Sequence, residues 1–89
     1  MQIIIINLKL MTLLDLSVGK IALVDQVNLG LYGKGLAARL EAMGIIPNKP
    51  IRVLRKSWLG GPLHIRVGTT TEIAIRRQEA KNILIQSHN

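Results

Sequence analysis

LAARLEAMGIIP, residues 36–47, holds a helix, its stop signal and the lead-in to a strand within twelve residues. Leu36, Leu40 and Met43 fall at i, i+4 and i+7 with Ala37 beside them, while Arg39 and Glu41 lie off that stripe; this spacing predicts a short amphipathic helix over about residues 35–43. Gly44 follows the last periodic residue, where a left-handed backbone is needed and glycine adopts it without steric penalty. Ile45 stands where a Schellman-type stop folds an apolar side chain back on Leu40, and Pro47 prevents the helix from resuming.

Outward from this helix the chain reads as short strands. Upstream, Thr12 followed three residues later by Asp15 is a capping-box pattern for one helical turn, with Leu13 and Leu16 as its buried contacts and Gly19 as its end. The apolar stretch 21–27 is a first strand, and the glycine-rich segment NLGLYGKG, residues 28–35, is a loop leading into the helix. Downstream, residues 50–56 form a second strand in which Ile51 and Val53 alternate with Arg52 and Leu54. SWLGGP, residues 57–62, is a turn. In residues 63–67, Leu63, Ile65 and Val67 share one face while His64 and Arg66 share the other, the cleanest alternation in the chain. Gly68–Thr70 turns again, residues 71–76 supply a fourth strand with Ile73 and Ile75 inward, 78–82 a single helical turn and 83–85 a fifth strand. Five short strands with tight turns predict a mainly β fold, a small five-stranded barrel with one short helix and one or two helical turns.

At 89 residues the chain is one small domain with a thin core. It contains no cysteine, so disulfides, thiolate metal sites and cysteine catalysis are excluded, and no phenylalanine, so Ile, Leu and Val fill the interior. MQIIIINLKL has no basic residue before its apolar run and no small-residue cleavage site after it, and it falls short of the roughly 20 apolar residues of a membrane span. Its four isoleucines, Ile3–Ile6, suit an added edge strand, a contact with a second copy, or a tail. The expected organisation is therefore an extension at 1–10, the barrel at 11–86 and a tail at 87–89.

The net charge is +7, and its distribution is uneven. Lys49, Arg52, Arg55, Lys56, Arg66, Arg76 and Arg77 are opposed between residues 49 and 77 by Glu72 alone, so this segment carries six of the seven net charges. Such a balance points to nucleic acid, anionic lipid or an acidic protein surface. Arg52, Arg55, Lys56, Arg66 and Arg76 are candidates for a continuous stripe across the barrel. Non-specific nucleic-acid binders combine such charge with aromatic stacking platforms, and this chain offers only Trp58 and Tyr32. The same scarcity argues against capture of proline-rich peptides. Trp58, on the turn between strands, either caps the barrel end or stands ready for a partner.

Catalytic and metal chemistry find little support. Ferrous iron takes convergent His and carboxylate ligands, whereas His64 alternates outward in a strand, His88 lies in the tail and the five carboxylates are scattered; no iron site or other cofactor is expected. Ser17, Ser57, Ser87 and Tyr32 have no His–carboxylate pair arranged near them, so no enzyme is expected. The glycines at 30, 33 and 35 lack the GxxxxGK[ST] spacing of a phosphate loop.

The succession LLDLSVGKIALV, LAARLEAMGIIPNKPIRVLRK, GGPLHIRVG and EIAIRRQEAKNILI, from about Met11 to Gln86, resembles the FeoA family. Its most specific block is Arg39-Leu40 through Met43-Gly44-Ile45 and Pro47, followed by the basic strand; Ile73-Ala74-Ile75-Arg76 with Glu79-Ala80 and Ile83 looks like the family's closing strand, turn and strand. The resemblance implies an SH3-like barrel, a cytoplasmic location and a regulatory or scaffolding role beside FeoB, a membrane ferrous-iron transporter, with GTP hydrolysis belonging to that partner. The same module occurs in iron-dependent repressors, whose helix-turn-helix and metal-binding parts have no counterpart here. Two departures stand out. Pro47 is followed by Asn48 where the family has glycine, a turn that asparagine tolerates, and the Ile3–Ile6 extension lies outside the family pattern. Because the matching residues are packing and turn positions (Leu36, Leu40, Met43, Gly44 and Pro47 above all), Arg52, Arg55, Lys56, Trp58, Arg66 and Arg76 are left as candidates for partner contact. The alternative function is a nucleic-acid-binding barrel using the same basic strands.

Overall fold

The computed structural model of the protein describes residues 11–28 and 33–86. A 3-10 turn at Leu13–Asp15 precedes β1 (Ile21–Val27), α1 (Gly33–Ala42), β2 (Pro50–Lys56), a 3-10 turn at Trp58–Gly60, β3 (Leu63–Val67), β4 (Thr71–Ile75), α2 (Arg77–Ala80) and β5 (Ile83–Ile85). The five strands form one sheet in the order β4-β3-β2-β1-β5, and every pairing is antiparallel. The mainly β expectation therefore holds.

The sheet coils because β1 serves two neighbours in turn. Ile21–Leu23 pair with β2, whereas Val24, Gln26 and Val27 pair with β5, and the register shifts between Val24 and Gln26. Such a bulge bends the strand and increases its twist. Alternate residues then converge on one interior: Val24, Ile51, Val53, Leu63, Ile65, Ile75 and Ile83 are all completely buried. α2 carries the chain from β4 to β5, and among the described residues no ladder joins those two strands directly. The far side of β5 is covered by the start of the described chain, where Thr12 bridges Leu84 and the Ile85 N–H donates to Met11 O at 3.0 Å. Asp15 closes the first turn by accepting from the Thr12 N–H at 2.9 Å, as the capping pattern requires. The Ile3–Ile6 extension and His88 lie outside the described residues.

α1 begins at Gly33, two residues before the expected start, and stops as its sequence dictates. The Gly44 N–H donates to Glu41 O at 2.9 Å and the Ile45 N–H to Leu40 O at 3.0 Å, the paired bonds of a Schellman motif, with Gly44 at φ 87°. Leu40 and Ile45 are buried and Leu36 and Met43 pack half-buried against the core, while Pro47 is exposed. Asn48 takes φ 69° in the following turn, the left-handed conformation for which glycine is otherwise used. Its side-chain oxygen accepts from Gln86 Nε2 at 2.8 Å, which fastens this turn to the end of β5.

At the other end, β4 stops at Ile75 and α2 starts at Arg77, each one residue earlier than the sequence suggests. Arg76 is the cap: its N–H donates to Glu79 Oε1 at 2.9 Å. Glu79 is buried, and its other oxygen pairs with Arg39 of α1. One carboxylate thus joins the two helices.

Candidate interaction surface

The outer face of β2, β3 and β4 is built by strand alternation and one irregularity. Arg52 points away from the core opposite Arg66, and Arg66 lies opposite Glu72 of β4. Simple alternation would return Arg55 to the side of Val53, toward the core. Instead the register shifts between Val53 and Arg55, so that Arg55 faces His64. Leu54 is the extra residue of a bulge that restores Arg55 to the outer face. The result is two cross-strand rows, Arg52–Arg66–Glu72 and Arg55–His64–Ala74.

Their internal bonds are long. Arg66 Nη2 donates to Glu72 Oε2 at 3.5 Å, and Arg55 Nη2 approaches His64 Nδ1 at 3.4 Å. A guanidinium has only donors, so Nδ1 is the acceptor in that contact. Arg52 and Arg66 are like charges directly opposite each other, an arrangement that disfavours the sheet. Together with Ile21, Pro50, Gly68 and Thr69 they line an open cleft of about 240 Å³ that combines apolar side chains with two guanidiniums. A carboxylate seated there would offset the repulsion between the two guanidiniums.

The stripe is shorter than the sequence suggested. The bulge turns Lys56 off the arginine rows, and its Nζ donates to Leu14 O at 3.0 Å, beside the first 3-10 turn. Arg76 is exposed but stands at the start of α2, sharing a second cleft with Gly60, Gly61, Pro62 and Arg77. Of the five basic candidates, the structure brings Arg52, Arg55 and Arg66 together and leaves Lys56 and Arg76 apart. Trp58 does not cap the barrel end: it is 91% exposed, and the neighbouring Leu59 is fully exposed.

Sequence reasoning passed over two residues that shape this surface. Arg77 donates from Nε to Gly61 O and from Nη2 to Ser57 O, both at 3.0 Å, and so braces the β2–β3 turn from α2. The available signal was parity, since Arg77 continues the inward series Ile73, Ile75. Glu79, which reads as a surface carboxylate of a helical turn, is the buried link to Arg39 described above. Among the described residues no three His, Asp or Glu side chains converge as metal ligands, and no helix is long and apolar enough to cross a membrane.

Comparison with known proteins gives one consistent answer. Residues 11–87 match the family model described as the FeoA domain. Among solved structures, the chain is similar to FeoA of Stenotrophomonas maltophilia, crystallised with zinc and described as a procaryotic SH3 domain protein. The two are 31% identical, with a TM-score of 0.74 over 85% of this chain and 89% of that one. It is also similar to the FeoA protein of Chlorobium tepidum, at 28% identity and a TM-score of 0.73 over 84% of this chain and 68% of that one. A manganese-dependent transcriptional repressor, 15% identical with a TM-score of 0.76 over 88% of this chain and 41% of its own, shares the fold alone. No curated protein sequence matches.

Proposed function

We propose the function from one premise: this chain belongs to the FeoA family, which is associated with ferrous-iron transport. It acts in the cytoplasm as an accessory factor, by contact with a FeoB-like membrane transporter rather than by catalysis. The domain that makes this contact spans residues 11–86. The observation that carries the reading is the gathering of Arg52, Arg55 and Arg66 on one face, with Glu72 as the one carboxylate in register with them. Such a face suits an acidic protein surface, where exposed charges accelerate and orient docking and lose strength as salt rises.

Nucleic acid is the less favoured partner for this face. Among the described residues Trp58 is the only Phe, Tyr or Trp side chain, and it sits on the β2–β3 turn rather than between the arginine rows, so successive bases would find only the His64 ring within those rows to stack on. The test is charge reversal. The triple variant Arg52→Glu, Arg55→Glu, Arg66→Glu is expected to keep the fold, because all three side chains lie on the outer face, and to lose co-purification with the transporter. Retention of the complex at ordinary salt would reject this face as the contact.

A further inference from the structure

The β2–β3 turn carries the two most exposed large apolar side chains of the described residues, Trp58 at 91% and Leu59 at 100%. Leaving a Trp–Leu pair in water forgoes the hydrophobic gain that either would make against any apolar surface. The exposure is built in. Leu59 holds φ 56° and ψ 39°, a left-handed conformation that a leucine adopts against its own sterics. The Ser57 N–H donates to Pro62 O at 3.1 Å across the base of the turn, and Arg77 binds the carbonyls of Ser57 and Gly61 from below. Gly61 admits no side chain, since a Cβ there would meet Ser57 Cβ at 2.7 Å. The turn is therefore held shut at its base while its tip points its apolar groups outward.

Along the sequence, the charge flanking the tip has one sign. Residues 42–71, which include the whole turn, contain no Asp or Glu and five Lys or Arg. Arg55 stands exposed on the row nearest the turn, and Arg76 shares a cleft with Gly60, Gly61 and Pro62. We propose that this turn is a lipid-interface anchor: Trp58 and Leu59 enter the headgroup region of an anionic bilayer while Arg55 and Arg76 pair with lipid phosphates. Trp at the interface, an aliphatic neighbour below it and guanidiniums at phosphate level is the arrangement that interfacial binding requires. The anchor shares Arg55 with the docking face of Arg52, Arg55 and Arg66, and it is tested separately through Trp58 and Leu59, which that face does not include.

Trp58 is the only tryptophan of the chain, so its fluorescence reports this turn alone. The full chain is titrated with vesicles of phosphatidylglycerol and phosphatidylcholine, and with phosphatidylcholine alone, at low and at ordinary salt. The expected result is a blue shift with quenching by brominated acyl chains on anionic vesicles only, weakening as salt rises. Leu59→Gly, read by the same fluorescence, and Trp58→Ala, read by co-sedimentation, bind more weakly, and the double variant loses about 100-fold in vesicle affinity. Both residues are exposed, so unchanged circular dichroism accompanies the loss. No shift at low salt and saturating lipid, or vesicle binding unchanged in the double variant, would overturn the proposal. So would a shift seen only on adding the detergent-solubilised transporter, which would assign the tip to a protein pocket.

Discussion

The exit of α1 and the β2–β3 turn solve the same problem in opposite ways. Each reverses the chain through a left-handed residue, Gly44 at φ 87° in the first and Leu59 at φ 56° in the second. At the exit the residue is a glycine, the bonds are made by the helix's own last carbonyls, and the apolar side chain that follows, Ile45, is buried. At the turn the residue is a leucine, bracing arrives from Arg77 some sixteen to twenty positions away in sequence, and the apolar pair faces solvent. A local solution that buries its apolar residue supports the fold. A solution that uses a distant arginine to hold a left-handed leucine keeps its apolar groups outside, as the proposed lipid anchor requires.

Three substitutions sharpen that contrast. Ile45→Ala removes a fully enclosed side chain and is expected to destabilise the protein by about 3 kcal/mol in urea unfolding. Binding to transporter or vesicles by the folded fraction is expected to stay unchanged. A loss under about 1 kcal/mol would show that the exit is not the support described here. Arg77→Met keeps the aliphatic stem and deletes both carbonyl bonds, at about 1–2 kcal/mol. Hydrogen exchange should quicken at Ser57, whose N–H closes the turn, while β3 stays protected; equal deprotection of both would mean that Arg77 serves the whole sheet. Leu59→Gly has the smallest effect on stability. Relief of the left-handed strain, about 1–2 kcal/mol, is offset by glycine's extra backbone entropy, leaving a change within about 1 kcal/mol of zero or slightly positive. A clear loss of stability would mean that Leu59 packs against the protein after all.

The same contrast governs what could be read from the sequence. The helix and its exit were legible because Leu40, Gly44, Ile45 and Pro47 act within a few residues of each other, and the cleanly alternating β3 was legible for the same reason. Asn48 in a left-handed turn followed from its own tolerance for positive φ. What escaped depends on residues distant in sequence. The bulge at Leu54 is a property of how β2 pairs with β3, and it alone decides that Arg55 joins Arg52 and Arg66 while Lys56 leaves them. Trp58 had two readings of similar weight, and the bracing from Arg77 that separates them spans two elements. Glu79 looks like any surface carboxylate until α1 brings Arg39 against it.

In the proposed function, this FeoA-family domain meets a FeoB-like transporter through the outer face of β2, β3 and β4, not through the helix that identifies its family. Backbone amide chemical shifts, followed while the cytoplasmic part of the transporter is added, test this directly. The expected result is that Arg52, Arg55, His64, Arg66 and Thr69 move together, with Leu40–Ile46 unmoved. Shifts concentrated on Leu40–Ile46, with the arginine rows unmoved, would contradict it.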